Sequence, residues 1–512
     1  MSVSMSRRTF LSAAAGSATA VAVGVPARAG SRAPAALRQL EEKIRDGMAR
    51  YGIPGVAVGV LHRGAEHVRG FGVTNVADPV PVDGDSLFRN GSTTKTYTGT
   101  AVMRLVERGR LDLDRTVRSY LPGFRTADEA ASARVTVRHL LQHTPGWLGD
   151  FFLDTGAGED ALARYVGAMS QLPQLTAPGT VFSYNNAGFA VAGRLIEVVT
   201  GMPYEQAVRS LILDPLRLER TAFSPGELPG STVTVPHVVD EDGRPVPVPE
   251  LLFMPRSLHP VGGVFSSVRD QVRWARFHLG DGRTPTGRRL LTRRSMHAMQ
   301  SHPGPGGTLF VELDGYGLSW MLRPTAQGPK VVQHGGDWNG QHSGFLMVPE
   351  RDFALTVMTN SVTGPNLIAE LFADDWALRR FTGLTNLPAV PRPAPAGELA
   401  AYEGHYSATQ IDLSGEVGVI EFDLVAQAGG LVVRTPQGDA LRLAFYRRDF
   451  VRVLDPSGAD THFRADFVRG GDGSVVWLRY GGRLFRRGAV TMRSGGKRLP
   501  LQRSTLPHPS LG

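Results

Sequence analysis

Residues 88–95 of the chain read Phe88-Arg89-Asn90-Gly91-Ser92-Thr93-Thr94-Lys95. Just after this run, apolar residues recur at steps of three and four, at Tyr97, Ala101, Val102, Leu105 and Val106. That spacing places them on one face of an α-helix. Gly109 follows the last periodic residue, where helices most often end. The sequence therefore predicts a helix over residues 93–108, with Ser92 and Lys95 at its start.

Ser92 and Lys95 lie three residues apart, so in a helix their side chains share one face. The first turn of a helix has free backbone N–H groups and the positive end of the helix dipole, which stabilise an oxyanion formed at Ser92. A serine hydroxyl becomes a nucleophile when a neighbour takes its proton, and lysine can do so only where burial or nearby cations lower its pKa. The alternative is an ordinary helix start with a solvated lysine.

Lysine is rare in this chain, which contains only Lys43, Lys95, Lys330 and Lys497. Arginine occupies the other basic positions, and arginine cannot give up its proton at any accessible pH. A lysine at position 95 therefore indicates that deprotonation matters there. Partners farther along the chain decide between the two interpretations.

The chain has 512 residues, which is too long for one ordinary core and indicates two domains after a leader. Arg7-Arg8, an apolar run and Ala27-Arg28-Ala29 predict a twin-arginine signal peptide over residues 1–29. An uncleaved amphipathic start is the alternative. We expect export by the twin-arginine pathway to a secreted, periplasmic or wall-associated location. No later apolar run is long enough to span a bilayer, and the absence of cysteine excludes disulfides and thiolate chemistry.

The formal charge of +9 comes from arginines that are scattered and often interleaved with acidic residues. This pattern is typical of a solvated surface and not of a nucleic-acid groove, so we expect no nucleic-acid partner. Anionic wall polymers such as peptidoglycan are the candidate macromolecular partner. The sequence does not indicate an oligomeric state.

The order of the predicted elements indicates an α/β (α+β) domain over residues 36–385. An amphipathic helix over residues 36–51 precedes two strands, and sheet-like sequence returns only after about residue 310. The segments between are mainly helical. We therefore expect an antiparallel sheet flanked by helices and interrupted by a mostly helical insertion.

Two further segments carry polar side chains in positions suited to a cleft. Tyr184 and Asn186 lie in a loop before a predicted helix, although Asn185 or Asn186 could be no more than its N-cap. Residues 330–336 form a predicted strand that runs into His334-Gly335-Gly336 and precedes a hairpin. Glycines there allow a ligand's backbone to approach the strand edge closely.

His139 and His143 stand four apart, as zinc ligands on a helix do, but no glutamate follows His139 and no third ligand cluster is visible. We therefore expect no metal and no cofactor. The sequence also lacks the G-x-S-x-G motif of α/β-hydrolases.

A proline-rich linker over residues 386–397 precedes short β-type runs that alternate with glycine turns. Six such runs in about ninety residues predict a small antiparallel barrel over residues 398–488. They lie at residues 417–424, 431–434, 440–445, 450–454, 463–467 and 475–478. The polar tail over residues 489–512 is predicted to be disordered.

Taken together, Ser92-x-x-Lys95, Tyr184-x-Asn186 and His334-x-Gly336 resemble the penicillin-recognising serine hydrolases. The closest similarity is to class C β-lactamases, D-alanyl-D-alanine carboxypeptidases and their esterase relatives. The resemblance covers roughly residues 36–380, and the last segment is similar to the lipocalin-like barrel of some members. Three ordered motifs favour the catalytic interpretation of Ser92 and Lys95 over the ordinary helix start.

The resemblance implies a role for each motif residue. Ser92 becomes acylated, Lys95 and Tyr184 share the proton transfer, and Asn186 holds the substrate amide. His334 lines the wall opposite Tyr184, with Gly335 and Gly336 beside the substrate. The oxyanion rests on the N–H groups of Ser92 and Asp337, and His143 has a structural role. Which of Lys95 and Tyr184 is the general base stays open.

The third motif departs from the Lys-Thr-Gly of such β-lactamases. Histidine at position 334 and glycine at position 335 argue against efficient β-lactam hydrolysis and against a strict carboxypeptidase. We expect a serine hydrolase acting on amide bonds of peptides that contain D-amino acids. The alternatives are a carboxylesterase, a weak β-lactamase and a peptide-cyclising acyl transferase, and the sequence argues against a non-enzymatic wall-binding protein.

Overall fold

A seven-stranded antiparallel sheet forms the centre of the catalytic domain in the computed structural model, which describes residues 32–488 and 497–499. Its strand order is β10-β11-β12-β13-β14-β1-β2. The strands of this domain, with three smaller sheets, are β1 Gly55–His62, β2 Ala65–Gly72, β3 Phe88–Arg89, β4 Thr221–Ala222, β5 His237–Val239, β6 Pro245–Pro247, β7 Phe265–Ser266, β8 Gly307–Leu309, β9 Val311–Leu313, β10 Gly315–Tyr316, β11 Met321–Arg323, β12 Val331–Trp338, β13 Gln341–Val348 and β14 Phe353–Thr359.

Helices cover the sheet and form the insertion between β2 and β8. They are α1 Arg32–Tyr51, α2 Thr94–Glu107, α3 Glu129–Arg134, α4 Val137–Leu141, α5 Ala161–Ala168, α6 Asn186–Thr200, α7 Tyr204–Val208, α8 Asp214–Leu216, α9 His259–Gly262, α10 Val268–Leu279, α11 Arg293–Ser301, α12 Gly364–Ile368, α13 Trp376–Thr382 and α14 Ala396–Leu399. The predicted combination of an antiparallel sheet, flanking helices and a helical insertion is confirmed.

Helix α2 lies between the sheet and the insertion, and nearly all of its side chains are buried. One core packs the apolar stripe of α1, including Leu40 and Ile44, against the sheet and helices α12 and α13. A second and larger core surrounds α2 and the insertion helices. Because this second core also includes sheet residues such as Val332 and Phe345, it fixes α2 against the sheet.

Strand β12 has a free edge where the third motif lies. It pairs with β13 from Val332 to Trp338, but with β11 only from Val331 to Gln333. From His334 onward, the edge that faces away from β13 is therefore open. The turn that precedes α2 lies beside this part of the strand.

The C-terminal segment is a closed antiparallel barrel, as predicted. Its strands are β15 Gly404–Ile411, β16 Val417–Gln427, β17 Gly430–Thr435, β18 Gly438–Arg447, β19 Phe450–Leu454, β20 Asp460–Arg469, β21 Val475–Tyr480 and β22 Arg483–Arg487. The barrel closes because β15 pairs with both β16 and β22. Aromatic and aliphatic side chains such as Tyr406, Phe422 and Phe467 fill its interior.

Two predicted segments lie wholly or largely outside the described residues. The signal peptide over residues 1–29 is one, and the tail over residues 489–512 is the other. Within that tail, β23 Lys497–Leu499 pairs in parallel with β16. No helix in the described part of the chain combines the length and apolar character needed to cross a membrane.

Candidate active site

Ser92 lies in a short 3₁₀ turn, Gly91–Thr93, that leads directly into α2. Lys95, one turn later, places Nζ 2.8 Å from Ser92 Oγ and 3.1 Å from the carbonyl oxygen of Val261. Lys95 is fully buried. Burial, followed by the positive charge of Arg483, lowers the pKa of Lys95 well below its ordinary value. The predicted pair therefore has the geometry and the environment in which lysine can accept a proton.

The loop before α6 brings Tyr184 over Lys95. The ring centroid of Tyr184 lies 4.9 Å from Lys95 Nζ. Burial raises the pKa of Tyr184, while the Ser92 side chain and the charge of Arg483 act in the opposite direction. At neutral pH these shifts leave the tyrosine protonated, and its buried hydroxyl has no hydrogen-bond partner among the described residues.

Asn186 is the first residue of α6 and is not its N-cap. Asn185 caps the helix, because its side-chain oxygen accepts a hydrogen bond from the N–H of Gly188 over 2.8 Å. Asn186 is instead free to point into the cleft, where its Nδ2 donates to Asp150 Oδ1 over 2.9 Å. Its side-chain oxygen is buried and has no hydrogen-bond partner among the described residues, so that oxygen is available to a substrate N–H.

His334 is buried on β12 with its ring 6.4 Å from that of Tyr184. Its Nδ1 lies 2.6 Å from the carbonyl oxygen of Gly335. Burial, with the nearby charge of Lys95, lowers the pKa of His334 to about 3. The imidazole is therefore neutral in the working range, and it supplies no positive charge to the site.

The two glycines of the third motif differ in their surroundings. A methyl group on Gly336 would lie 1.9 Å from the carbonyl oxygen of Asn90 and 2.7 Å from the backbone nitrogen of Ser92. A methyl group on Gly91 would lie 2.3 Å from the backbone nitrogen of Asp337. The turn before α2 therefore packs closely against the edge of β12, and the backbone nitrogens of Ser92 and Asp337, the predicted oxyanion donors, lie on these two facing segments.

Two residues of the site are absent from the sequence motifs. Arg483, from the start of barrel strand β22, lies with Cζ 4.7 Å from the ring centroid of Tyr184. Its guanidinium pairs with Asp150, with Nε 3.0 Å from Oδ2 and Nη2 3.2 Å from Oδ1. Burial alone would lower the pKa of Arg483, but the Asp150 carboxylate raises it. Asp150 therefore connects Asn186 to the barrel.

The barrel contacts the walls of the site at three places. The N–H of Tyr184 donates to the carbonyl oxygen of Gly482 over 2.8 Å. At the end of β15, the N–H of Ile411 donates to the carbonyl oxygen of Asp150, also over 2.8 Å. Arg479 donates to the carbonyl oxygen of Phe182 over 2.8 Å. The barrel therefore forms part of the wall of the candidate site.

His139 and His143 have separate local roles. His139 belongs to the capping box of α4, where its Nδ1 accepts from the N–H of Thr136. His143 stacks on Tyr184, with 4.3 Å between ring centroids. Among the described residues, no group of three or more His, Cys, Asp or Glu side chains is arranged to hold a metal ion.

Comparison with protein families gives a match to one model, described as Beta-lactamase, over residues 40–375. The chain belongs to the β-lactamase family. Family membership and the hydrolase and penicillin-binding relatives make it a serine hydrolase. The resemblance carried by the three motifs is thereby confirmed, and the sheet with its helical insertion is the family's catalytic domain.

Two curated relatives of this β-lactamase-family chain cover most of its length. Penicillin-binding protein 4 of Amycolatopsis lactamdurans is 37% identical over 352 residues, covering 68% of this chain and 92% of the relative. Unguisins hydrolase ungD of Aspergillus violaceofuscus is 25% identical over 424 residues, covering 72% of this chain and 74% of the relative.

The crystal structure of SurE with D-Leu includes a counterpart to nearly the whole of this serine hydrolase. Its TM-score is 0.69 at 29% sequence identity, with 90% of this chain and 100% of SurE covered. The similarity therefore extends beyond the 40–375 region matched by the family model.

Proposed function

We propose that this serine hydrolase cleaves amide bonds in peptides that contain D-amino acids, through an acyl-enzyme formed on Ser92. The observation that carries the mechanism is the 2.8 Å contact between Ser92 Oγ and the Nζ of Lys95, a lysine that is itself fully buried. Because the pKa of Lys95 is lowered and that of Tyr184 is raised, Lys95 is the better proton acceptor at neutral pH.

The reaction follows from these positions. Ser92 Oγ attacks the carbonyl carbon, and its proton passes to the neutral amine of Lys95. The N–H groups of Ser92 and Asp337 stabilise the negative oxygen of the tetrahedral intermediate. The carbon–nitrogen bond then breaks as the leaving amine takes a proton from Tyr184, which Lys95 reprotonates. A water molecule repeats the sequence on the ester and frees Ser92.

The substrate class draws support from the relatives and from the third motif. SurE was crystallised with D-Leu, and ungD is named a hydrolase of unguisins. In this chain His334 is neutral and Gly335 has no hydroxyl, so the third motif lacks the lysine and threonine found in β-lactamases of this type. That favours peptide substrates over β-lactams.

Covalent labelling tests the mechanism directly. A fluorophosphonate should add to Ser92 in the wild-type protein and not in Ser92→Ala, with Ser414→Ala on an exposed barrel turn as the matched control. Intact mass and peptide mapping report the adduct. An adduct that persists in Ser92→Ala rules out the serine mechanism.

A substrate panel then tests the class. It contains pairs of peptides that differ only in D or L configuration at the residue before the scissile bond, a short acyl ester, a chromogenic cephalosporin and an activated linear peptide able to cyclise. We expect the D-peptide to have the highest kcat/KM among the hydrolysed substrates. Preference for the ester, the cephalosporin or cyclisation would instead identify the corresponding alternative activity.

We also propose export through the twin-arginine pathway, on the strength of Arg7-Arg8 and the apolar run that follows. A reporter fused after residue 29 should be exported in a twin-arginine-competent bacterium. Replacement of both arginines by lysine should retain it in the cytoplasm. Export that is unaffected by this change contradicts the proposal.

A further inference from the structure

The active site contains several basic side chains, and burial disfavours the charged form of most of them. Burial lowers the pKa of Lys95 and that of His143 well below their ordinary values, and it lowers the pKa of His334 to about 3. Arg483 differs, because a guanidinium keeps its charge at any working pH. Of the described basic groups that face Tyr184, Arg483 therefore carries the fixed positive charge.

The barrel holds Arg483 in place through its backbone as well as its side chain. Gly482, the preceding residue, accepts the hydrogen bond of the Tyr184 N–H. Gly482 has a φ of +74°, and a methyl group on it would lie 3.0 Å from Tyr184 Cβ. This close approach requires glycine. The barrel turn and the Tyr184 loop therefore pack closely at Gly482, the residue before Arg483.

Asp150 secures the other end of the guanidinium. Its carboxylate accepts from Arg483 and from Asn186, while its backbone oxygen accepts from Ile411 of the barrel. Arg483 and Asp150 expose only 16% and 13% of their side chains. At this burial the pair is screened less by solvent than a surface ion pair is.

We propose that Arg483 is a positioning residue for the Ser92 reaction. Strand β22 of the barrel places the fixed positive charge of Arg483 in the active site, and this charge acts on the reaction through Lys95 and Tyr184. The inference rests on the proposed acyl-enzyme chemistry, but not on the substrate class. The inference gives the barrel a role in the reaction. That role does not depend on the barrel interior, which is filled by the barrel's own side chains.

Arg483 and Asp150, the two members of the ion pair, have opposite effects on the pKa of the neighbouring groups. The charge of Arg483 lowers the pKa of both Lys95 and Tyr184, whereas the charge of Asp150 raises both. A lower pKa keeps Lys95 in the neutral form that can accept the serine proton. The direction is the same if Tyr184 is the base, because the cation also favours its ionised form.

Titratable and charged groups face Tyr184 from every element that packs against it. They are Lys95 from α2, His143 after α4, Asp150 from the following loop, Tyr316 from β10, His334 from β12 and Arg483 from β22. Burial lowers the pKa of both histidines, to about 3 for His334, and so disfavours their charged forms in the range in which Lys95 acts.

The test measures the rate of fluorophosphonate labelling of Ser92 against pH in the full-length chain. For Arg483→Gln we expect the midpoint of the acid limb to rise by about one pH unit, which makes labelling below the midpoint about tenfold slower. For Asp150→Asn we expect a shift to lower pH. Arg483→Lys should restore most of the wild-type profile. Arg486→Gln, an exposed position on the same strand, is the control for loss of one charge.

The outcomes separate the possible roles. If Arg483→Gln slows labelling equally at every pH and does not move the midpoint, the inference is overturned. Arg483 would then have a purely structural role. Arg483→Lys that behaves like Arg483→Gln while melting at the wild-type temperature also overturns it. If Arg483→Gln does not fold, Asp150→Asn decides, and an unchanged or raised midpoint contradicts the proposal. Failure to label Ser92 in the wild-type protein overturns the acyl-enzyme assignment itself.

Discussion

The imidazole of His143 lies almost flat against the phenol ring of Tyr184, with ring centroids 4.3 Å apart and 20° between the ring planes. Its Nδ1 accepts a hydrogen bond from the N–H of Asn185 over 2.7 Å. That bond assigns the proton of the neutral ring to Nε2. One side chain therefore fixes both the orientation of Tyr184 and the backbone that leads to Asn186.

His143→Phe should separate these two contributions. Phenylalanine keeps a ring against Tyr184 but cannot accept from the buried N–H of Asn185, which costs about 1–3 kcal/mol in the free energy of unfolding. Urea denaturation at pH 7 measures this loss. His143→Gln, which can supply a new acceptor, should recover part of it. Equal stability of the wild type and His143→Phe would show that the bond is not needed.

Lys95→Arg should abolish acylation although the positive charge is retained. The guanidinium cannot give up its proton, so Ser92 loses its base. Losses of this kind are on the order of a thousandfold or more. Single-turnover labelling of Ser92 gives the rate, and the melting temperature checks folding. A rate within about tenfold of wild type would assign Lys95 a supporting electrostatic role.

Gly336→Ala should eliminate activity, whereas Gly335→Ala should be tolerated. The added methyl group at Gly336 would meet the carbonyl oxygen of Asn90 at 1.9 Å, next to the nucleophile. At Gly335 its nearest neighbour is the carbonyl oxygen of Ser343 at 3.3 Å. The ratio of kcat/KM for the two variants, with circular dichroism as a folding check, tests this difference. Similar losses in both would mean that the strand edge relaxes.

Stability should fall as the solution is acidified, in part through His278. Burial lowers the pKa of His278 to about 3, while an unfolded histidine titrates near 6.5. Between those values the unfolded chain binds a proton that the folded chain does not, so the free energy of unfolding decreases as pH falls, by up to ~1.4 kcal/mol per pH unit. His278→Gln should reduce this slope between pH 6 and 4 in urea titrations. Parallel slopes would exclude the contribution.

The motif residues could be predicted because each lies in a recognisable local context. Ser92 and Lys95 precede a helix with clear periodicity, Tyr184 precedes a second helix, and His334 lies in a strand that runs into glycines. The helix and strand patterns also gave the order of the catalytic domain and six barrel strands. The spacing of apolar residues along a segment shows which of its faces is buried, and each of these segments buries one face.

Arg483, Asp150 and strands β15 and β22 escaped prediction for physical reasons. Residues 483–487 read Arg-Leu-Phe-Arg-Arg, so three arginines obscure the alternation that marks a strand. Asp150 lies in a loop, and its partner is 333 positions away. Charge pairing over that separation depends on the tertiary fold. The signal that was present is the Gly481-Gly482 pair before Arg483, a turn that allows close backbone approach.

The position of Arg483 also determines the stage of synthesis at which the site gains its fixed positive charge. Ribosomes add about 5–20 residues per second, so the 333 positions between Asp150 and Arg483 take on the order of half a minute to add. Throughout that interval the nascent chain contains Ser92 and Lys95 but not the cation above Tyr184. Until residue 483 has been added, the nascent chain should therefore have the raised midpoint that we expect for Arg483→Gln, and a chain truncated before β22 should keep its nucleophile but lack this charge.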